Sequence, residues 1–171
     1  MKIQHRELHR IVPTAIIHKN GKYLIIRRSL DKKAFPGQWT VPGGGLEVDD
    51  YINSPKTTPD SPQWYFAVEN CLKREVKEET SLEVEKLQYL CDLTFIRPDG
   101  IPVVTLSYYC NYKGGDIKLN EENIDYKWVN FKGAKKYDLI PGLLGEIKMV
   151  DKIIKGENPN NIKYKNLTQQ S

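Results

Sequence analysis

The sequence predicts an α+β fold, a mostly antiparallel or mixed sheet with helices packed against it. Three observations lead there. β-branched runs come in pairs joined by turn residues, one long helical stretch lies mid-chain, and an apolar helical pattern lies near the end.

The first pair is "IVPTAIIHKNGKYLIIRR", residues 11 to 28, where Asn20-Gly21 is a strong hairpin signal between two strands. "FPGQWTVPGGGLE", residues 35 to 47, is broken by Pro36, Gly37, Pro42 and three consecutive glycines, so it reads as a loop with a strand stub. "YINSPKTTPDSPQ", residues 51 to 63, holds three prolines among small polar residues and reads as an exposed insertion. From Trp64 to about Thr80 nothing breaks a helix, with Ser61 as cap and Pro62 in its first turn. "LQYLCDLTFIR" and "IPVVTLSYYCNY" form a second hairpin about Pro98-Asp99-Gly100, and "DYKWVNF" is a further short strand. Leu143, Leu144, Ile147, Val150, Ile153 and Ile154 recur at helical spacing, and Gly156 ends that helix. Residues 157 to 171 read as a polar, frayed tail.

The chain has 171 residues, 39% hydrophobic and 28% charged, which suits a single domain over residues 1–171 with a core of its own. The net charge of +4 comes from scattered basic residues, so no stable nucleic-acid partner is expected and an anionic small molecule is compatible. Cys71, Cys91 and Cys110 form no CxxC pair and lie in apolar runs, which favours buried thiols over structural zinc. The start, "MKIQHRELHR", lacks the apolar stretch of a secretory signal, and no window approaches a membrane span. A cytoplasmic protein without a membrane partner is the expectation.

The mid-chain helix carries the chemistry. A charge-dense helix is ordinarily a solvated face. With Trp64 as origin, however, Ala67, Val68, Cys71 and Leu72 fall within about 80° on either side, which defines the buried stripe. Glu75, Glu78 and Glu79 fall at about +20°, −40° and +60°, inside that stripe, whereas Glu69, Asn70, Lys73 and Lys77 face away. Carboxylates at the end of an apolar face are disfavoured unless they are protonated or bind cations. Oxygen ligands without Cys or His select a hard ion such as Mg²⁺ or Mn²⁺, which in turn suggests phosphate chemistry. "PGGGLE", residues 42 to 47, lets a backbone approach that ion closely.

These residues resemble the motif of the Nudix hydrolases: G, five residues, E, seven residues, then R-E-U-x-E-E-x-G-U with U aliphatic. Arg74, Glu75, Val76, Glu78, Glu79 and Leu82 match its second half, and Gly44 opens its first. Asp50 stands where the pattern has Glu, 23 residues separate it from Arg74, and Ser81 replaces the glycine. The resemblance, spanning roughly residues 10 to 155, implies an α/β/α sandwich and hydrolysis of a nucleoside diphosphate linked to another group. Nucleoside triphosphates and ADP-ribose-type molecules both carry such a diphosphate, and many relatives are homodimers. It implies Glu75, Glu78, Glu79 and Gly44 as metal site, with Glu75, Glu79 and Arg74 in the catalytic set.

Arg27 or Arg28, of which strand alternation points one to the site, is expected to bind phosphate, with Arg27 favoured. Phe35, Trp39 and Glu47 are expected at the substrate, and Glu122 or Asp125 is a candidate base. The insertion is expected to form a rim that sets substrate size. Two other readings compete: a nucleotide-binding module without turnover, and an isoprenoid diphosphate isomerase, which would need a thiol over the substrate.

Overall fold

A computed structural model describes residues 5–58 and 60–167. Six strands form one sheet: β1 (Arg10–Lys19), β2 (Lys22–Arg28), β3 (Trp39–Thr40), β4 (Glu83–Ile96), β5 (Pro102–Gly114) and β6 (Asn123–Val129). The helices are α1 (Ala67–Thr80), α2 (Phe131–Ala134) and α3 (Leu143–Ile154). The sheet order is β3-β2-β1-β5-β4, with β6 on β2; β1 and β5 run parallel, and the other pairs are antiparallel. A mixed, mostly antiparallel sheet is therefore what the hairpin signals foretold.

The β1–β2 hairpin turns through Asn20 and Gly21, both at positive φ, the backbone an Asn-Gly turn requires. Past the turn the two strands part. β2 pairs with β3, Thr14 bridges Gly43, and the Ala15 N–H donates to the Pro42 carbonyl at 2.8 Å. The glycine-rich stretch is thus wedged between β1 and β2.

Alternation along the strands builds two cores. Ala15, Ile17, Leu24 and Ile26 face α1 and meet Leu72 and Val76. Ile16, Tyr23 and Ile25 face the other way and meet Leu143, Leu144, Ile147 and Val150 of α3. Helices on both faces of the sheet make the α/β/α sandwich.

Three local expectations need correction. α1 begins at Ala67 after Phe66 at φ 63, three residues later than expected, and Ser61 does not cap it. Ties within the insertion hold the preceding residues out of the helix: Trp64 Nε1 donates to the Ser54 carbonyl at 2.9 Å, and the Tyr65 N–H donates to Thr57 Oγ1 at 3.0 Å. Trp64 accordingly packs on Tyr51 instead of the buried helix stripe. Nor is the polar tail frayed up to residue 167. Tyr164 lies where a side chain at Gly145 would be, and Leu167 packs on the α3 core. Pro59 and the end of the tail, 168–171, lie outside the described residues.

Ser81 takes the left-handed conformation the glycine would have supplied, at φ 61, and its N–H closes the helix on the Lys77 carbonyl at 2.8 Å. The helix therefore ends in place at the cost of backbone strain. Ser81→Gly is expected to stabilise the protein by about 1 kcal/mol, raising Tm by roughly 2–4 °C in a melting experiment; an unchanged or lower Tm would show that the serine carries no strain.

Candidate active site

The wedge brings Gly43 and Gly44 onto the last two turns of α1. A Cβ on Gly44 would lie 2.2 Å from the Glu75 carboxyl carbon, so the carboxylate occupies the space a side chain would need. A Cβ on Gly43 would lie 2.4 Å from the Pro13 carbonyl oxygen. A larger residue at Gly44 would force the loop off Glu75, and one at Gly43 would force it off β1.

Glu79 is 5% exposed and holds the centre. Its Oε2 accepts from the Gly43 N–H at 2.9 Å and its Oε1 from Asn123 Nδ2 at 3.2 Å. Burial pushes its pKa up to about 7, against the downward pull of those two hydrogen bonds. Glu75, with its side chain 15% exposed, is raised by the same cause, opposed chiefly by Arg74. Glu78 is the outermost, its side chain 54% exposed, so the acids grade from buried to solvated instead of sharing one inward face.

Arg74 organises the rest. Its Nη1 lies 2.9 Å from both Glu75 Oε1 and Glu78 Oε2, while Nε and Nη2 reach the two oxygens of Asp50 at 2.5 and 3.2 Å. The Asp50 side chain is only 3% exposed, and the Arg74 hydrogen bond holds its carboxyl below the usual range. The missing methylene is made up because the turn Val48–Asp50 lies directly against α1.

These groups line one end of a cavity of 1610 Å³, larger than the usual small-molecule site. Of the residues the sequence singled out, Arg28, Phe35, Gly44, Glu47, Arg74, Glu75, Glu78, Glu79 and Glu122 line it. Arg28 senses the charges of Glu79 and Glu122, and its Nε donates to the Ala34 carbonyl at 2.9 Å. Phe35 packs against Phe95 with ring centres 5.9 Å apart. Glu122 is held by Lys32 at 2.5 Å.

Arg27, Trp39 and Asp125 are placed elsewhere. Alternation along β2 turns Arg27 to the outside, where its Nε donates to the Gly37 carbonyl, so Arg28 is the arginine at the cavity. Trp39 is buried edge-on against Tyr137 in the α3 core. Asp125 pairs with Lys127 at 3.0 Å, on the strand position opposite Arg27. The insertion leaves the cavity as well: none of its described residues 51–58 and 60–63 lines it.

Asn123 and Glu146 are functional candidates the sequence did not single out. Asn123 lies in a run of polar residues with no distinguishing spacing. Glu146 lies in an apolar helix pattern where one acid reads as the solvated side, yet it is 5% exposed and lines the cavity. Cys71 is fully buried with its thiol raised to about 12 by burial, and it does not line the cavity. That placement gives the isomerase reading no thiol over a substrate.

Among the described residues, no three His, Cys, Asp or Glu side chains form a ready cage for a metal ion. The site nevertheless fits a hard divalent ion that uses one or two carboxylates and keeps several waters. Arg74 engages one oxygen each of Glu75 and Glu78, leaving Glu75 Oε2, beside the Gly44 backbone, and Glu78 Oε1 for such an ion.

The sequence pattern of the NUDIX domain matches residues 7–147. The chain belongs to the Nudix hydrolase family. It is 30% identical over 141 residues to nucleoside triphosphatase NudI of Klebsiella pneumoniae (strain 342), covering 76% of this chain and 88% of that protein. The NudI of Escherichia coli (strain K12 / DH10B) is 29% identical over 140 residues, with 76% and 88% covered. Among solved structures, a MutT protein from Methanosarcina mazei superposes with a TM-score of 0.64 at 23% identity, covering 86% of this chain and 96% of that one. An ADP-ribose pyrophosphatase from Streptococcus suis gives 0.62 at 20% identity, covering 88% and 96%. These structural likenesses establish the fold. No helix among the described residues is long and apolar enough to cross a membrane.

Removing the Asp50 carboxylate leaves Arg74 with unmatched donors. Asp50→Ala is expected to cost about 2 kcal/mol, seen as a Tm lower by roughly 4–8 °C. Because the folded pKa of Asp50 is depressed, its contribution is present above about pH 4 and fades as pH falls through the folded value. The Tm gap between wild type and Asp50→Asn should therefore narrow in acid; a constant gap would show that the ion pair is not its source.

Proposed function

We propose that the chain is a Mg²⁺-dependent pyrophosphohydrolase of nucleoside triphosphates, with Mn²⁺ able to substitute. The observation that carries this reading is the pair Glu75 and Glu79 packed on the Gly43–Gly44 backbone at one end of a cavity large enough for a nucleotide. The NudI relatives, described as nucleoside triphosphatases, favour triphosphates over ADP-ribose-type substrates.

In this reading Glu75, Glu78 and Glu79 hold the ion against Gly44. When bound, the ion supplies charge neutralisation for the phosphate oxygens and acidifies coordinated water. Arg28 binds a phosphate from the cavity wall, where its charge also balances Glu79. Arg74 acts as a positioning residue: it fixes Glu75 and Glu78 while Asp50 fixes it. Gly43 and Asn123 each donate to one oxygen of Glu79, which orients that carboxylate. Glu122, at the rim with Lys32, is the group proposed to accept the proton of the attacking water. Water adds to phosphorus, the anhydride bond between the α- and β-phosphates breaks, and the departing pyrophosphate or nucleoside monophosphate carries away the electron pair.

The test is a panel of NTPs, dNTPs, ADP-ribose, dinucleoside polyphosphates and sugar nucleotides with and without Mg²⁺, with products separated. Metal-dependent release of nucleoside monophosphate and pyrophosphate from triphosphates is expected, and a panel without turnover would overturn the proposal. Glu79→Gln and Glu78→Gln should each lower kcat by at least roughly 100-fold with the fold intact by circular dichroism. Near-wild-type rates in both variants would remove these residues from the machinery.

A further inference from the structure

The cavity is also lined by a group that the hydrolytic machinery does not use: Leu143 and Glu146 of α3, Val103, Thr105 and Ser107 of β5, and Leu93 of β4. Ser107 joins this group to the glycine loop through Thr14, whose Oγ1 donates to Ser107 Oγ at 3.4 Å and whose backbone bridges Gly43. Apolar Leu93, Val103 and Leu143 beside polar Thr105, Ser107 and Glu146 suit a flat heteroaromatic ring with hydrogen-bonding groups on one edge.

Glu146 is 5% exposed, and its neighbours are the hydroxyl of Ser107, itself fully buried, and the uncharged Cys91 and Tyr164. Among the described residues, no Lys, Arg or His side chain acts on it. A buried carboxylate without a cation is costly, so its retention in a cavity wall calls for a ligand that brings donors. An ionised carboxylate has about four acceptor positions and no donor. Ser107 engages one of them.

We propose that Glu146 is a specificity-determining residue that accepts the N1–H and the 2-amino group of a guanine base, making guanine nucleotides the preferred substrates. The inference rests on the nucleotide reading above. Among the common bases only guanine places a ring N–H next to an amino group, two parallel donors for two carboxylate oxygens. Adenine and cytosine pair an amino group with a bare ring nitrogen, whose lone pair faces a carboxylate oxygen. Uracil and thymine flank a single N–H with carbonyls, which repel it. Gly43, Gly44 and Glu146 line the same cavity, so a nucleotide with its phosphates at the glycines has room for its base beside Glu146.

Two measurements test this. The first compares kcat/KM for GTP, ATP, CTP and UTP in wild type and Glu146→Gln, which replaces one acceptor with a donor at constant size. Wild type should favour GTP by roughly 10- to 100-fold, and the GTP-to-ATP ratio should fall by about that factor in the variant. An equal loss on all four substrates, or a wild type indifferent to the base, would overturn the assignment. The second needs neither folding of the variant nor turnover. Calorimetric binding of GMP and of inosine monophosphate to wild type isolates the 2-amino group, and GMP should bind roughly tenfold tighter. Equal binding would sink the inference, while a GMP preference in a protein that hydrolyses nothing would sink only the hydrolytic reading.

Discussion

A single buried carboxylate ties this structure together. Glu79 takes hydrogen bonds from the glycine loop and from the start of β6 while belonging to α1, so three segments distant in sequence meet on its two oxygens. An isolated buried carboxylate would destabilise the fold, and two neutral donors offset only part of that cost. The raised pKa of Glu79 is the residue of that imbalance. An arriving cation would complete what the protein leaves undone, which is the usual way a metal-dependent site stores affinity in its apo state.

Around this centre the charges are arranged so that each acid has a different environment. Glu79 is desolvated, Glu75 is shared between Arg74 and the Gly44 backbone, and Glu78 stands in solvent. Without Arg74, repulsion among three acids on successive turns would weaken the end of α1. Arg74 in turn is held by Asp50, so the insertion that separates the two residues in sequence does not loosen the site in space. An added loop of this length is tolerated because its ends remain pinned and its interior is braced by Trp64 and Thr57.

Much of this was legible in the chain. The Asn-Gly and Pro-Asp-Gly turns, the apolar stripe of α1 and the spacing of Leu143 to Ile154 each rest on local periodicity or turn chemistry, and the elements formed at those signals, with α1 starting three residues late. The glycine run and the acidic helix were also foreseen as partners. What escaped was set by tertiary contact. The start of α1 depends on Thr57 and Trp64, the choice of Arg28 over Arg27 depends on which face of β2 lies over α1, and the burial of Asn123 and Glu146 depends on neighbours from other elements. The α2 turn, capped by Asn130 accepting from the Gly133 N–H, is too short for a periodic pattern to show.

The close approach of Gly44 to Glu75 is the proposed seat of a divalent ion. Titration of Mn²⁺ by electron paramagnetic resonance into wild type and Gly44→Ala measures that contact directly. Occupation of the site should be weakened by roughly tenfold or more when a methyl group separates loop from helix in an otherwise folded protein. Equal Mn²⁺ affinity in the two proteins, or none in wild type, would contradict it.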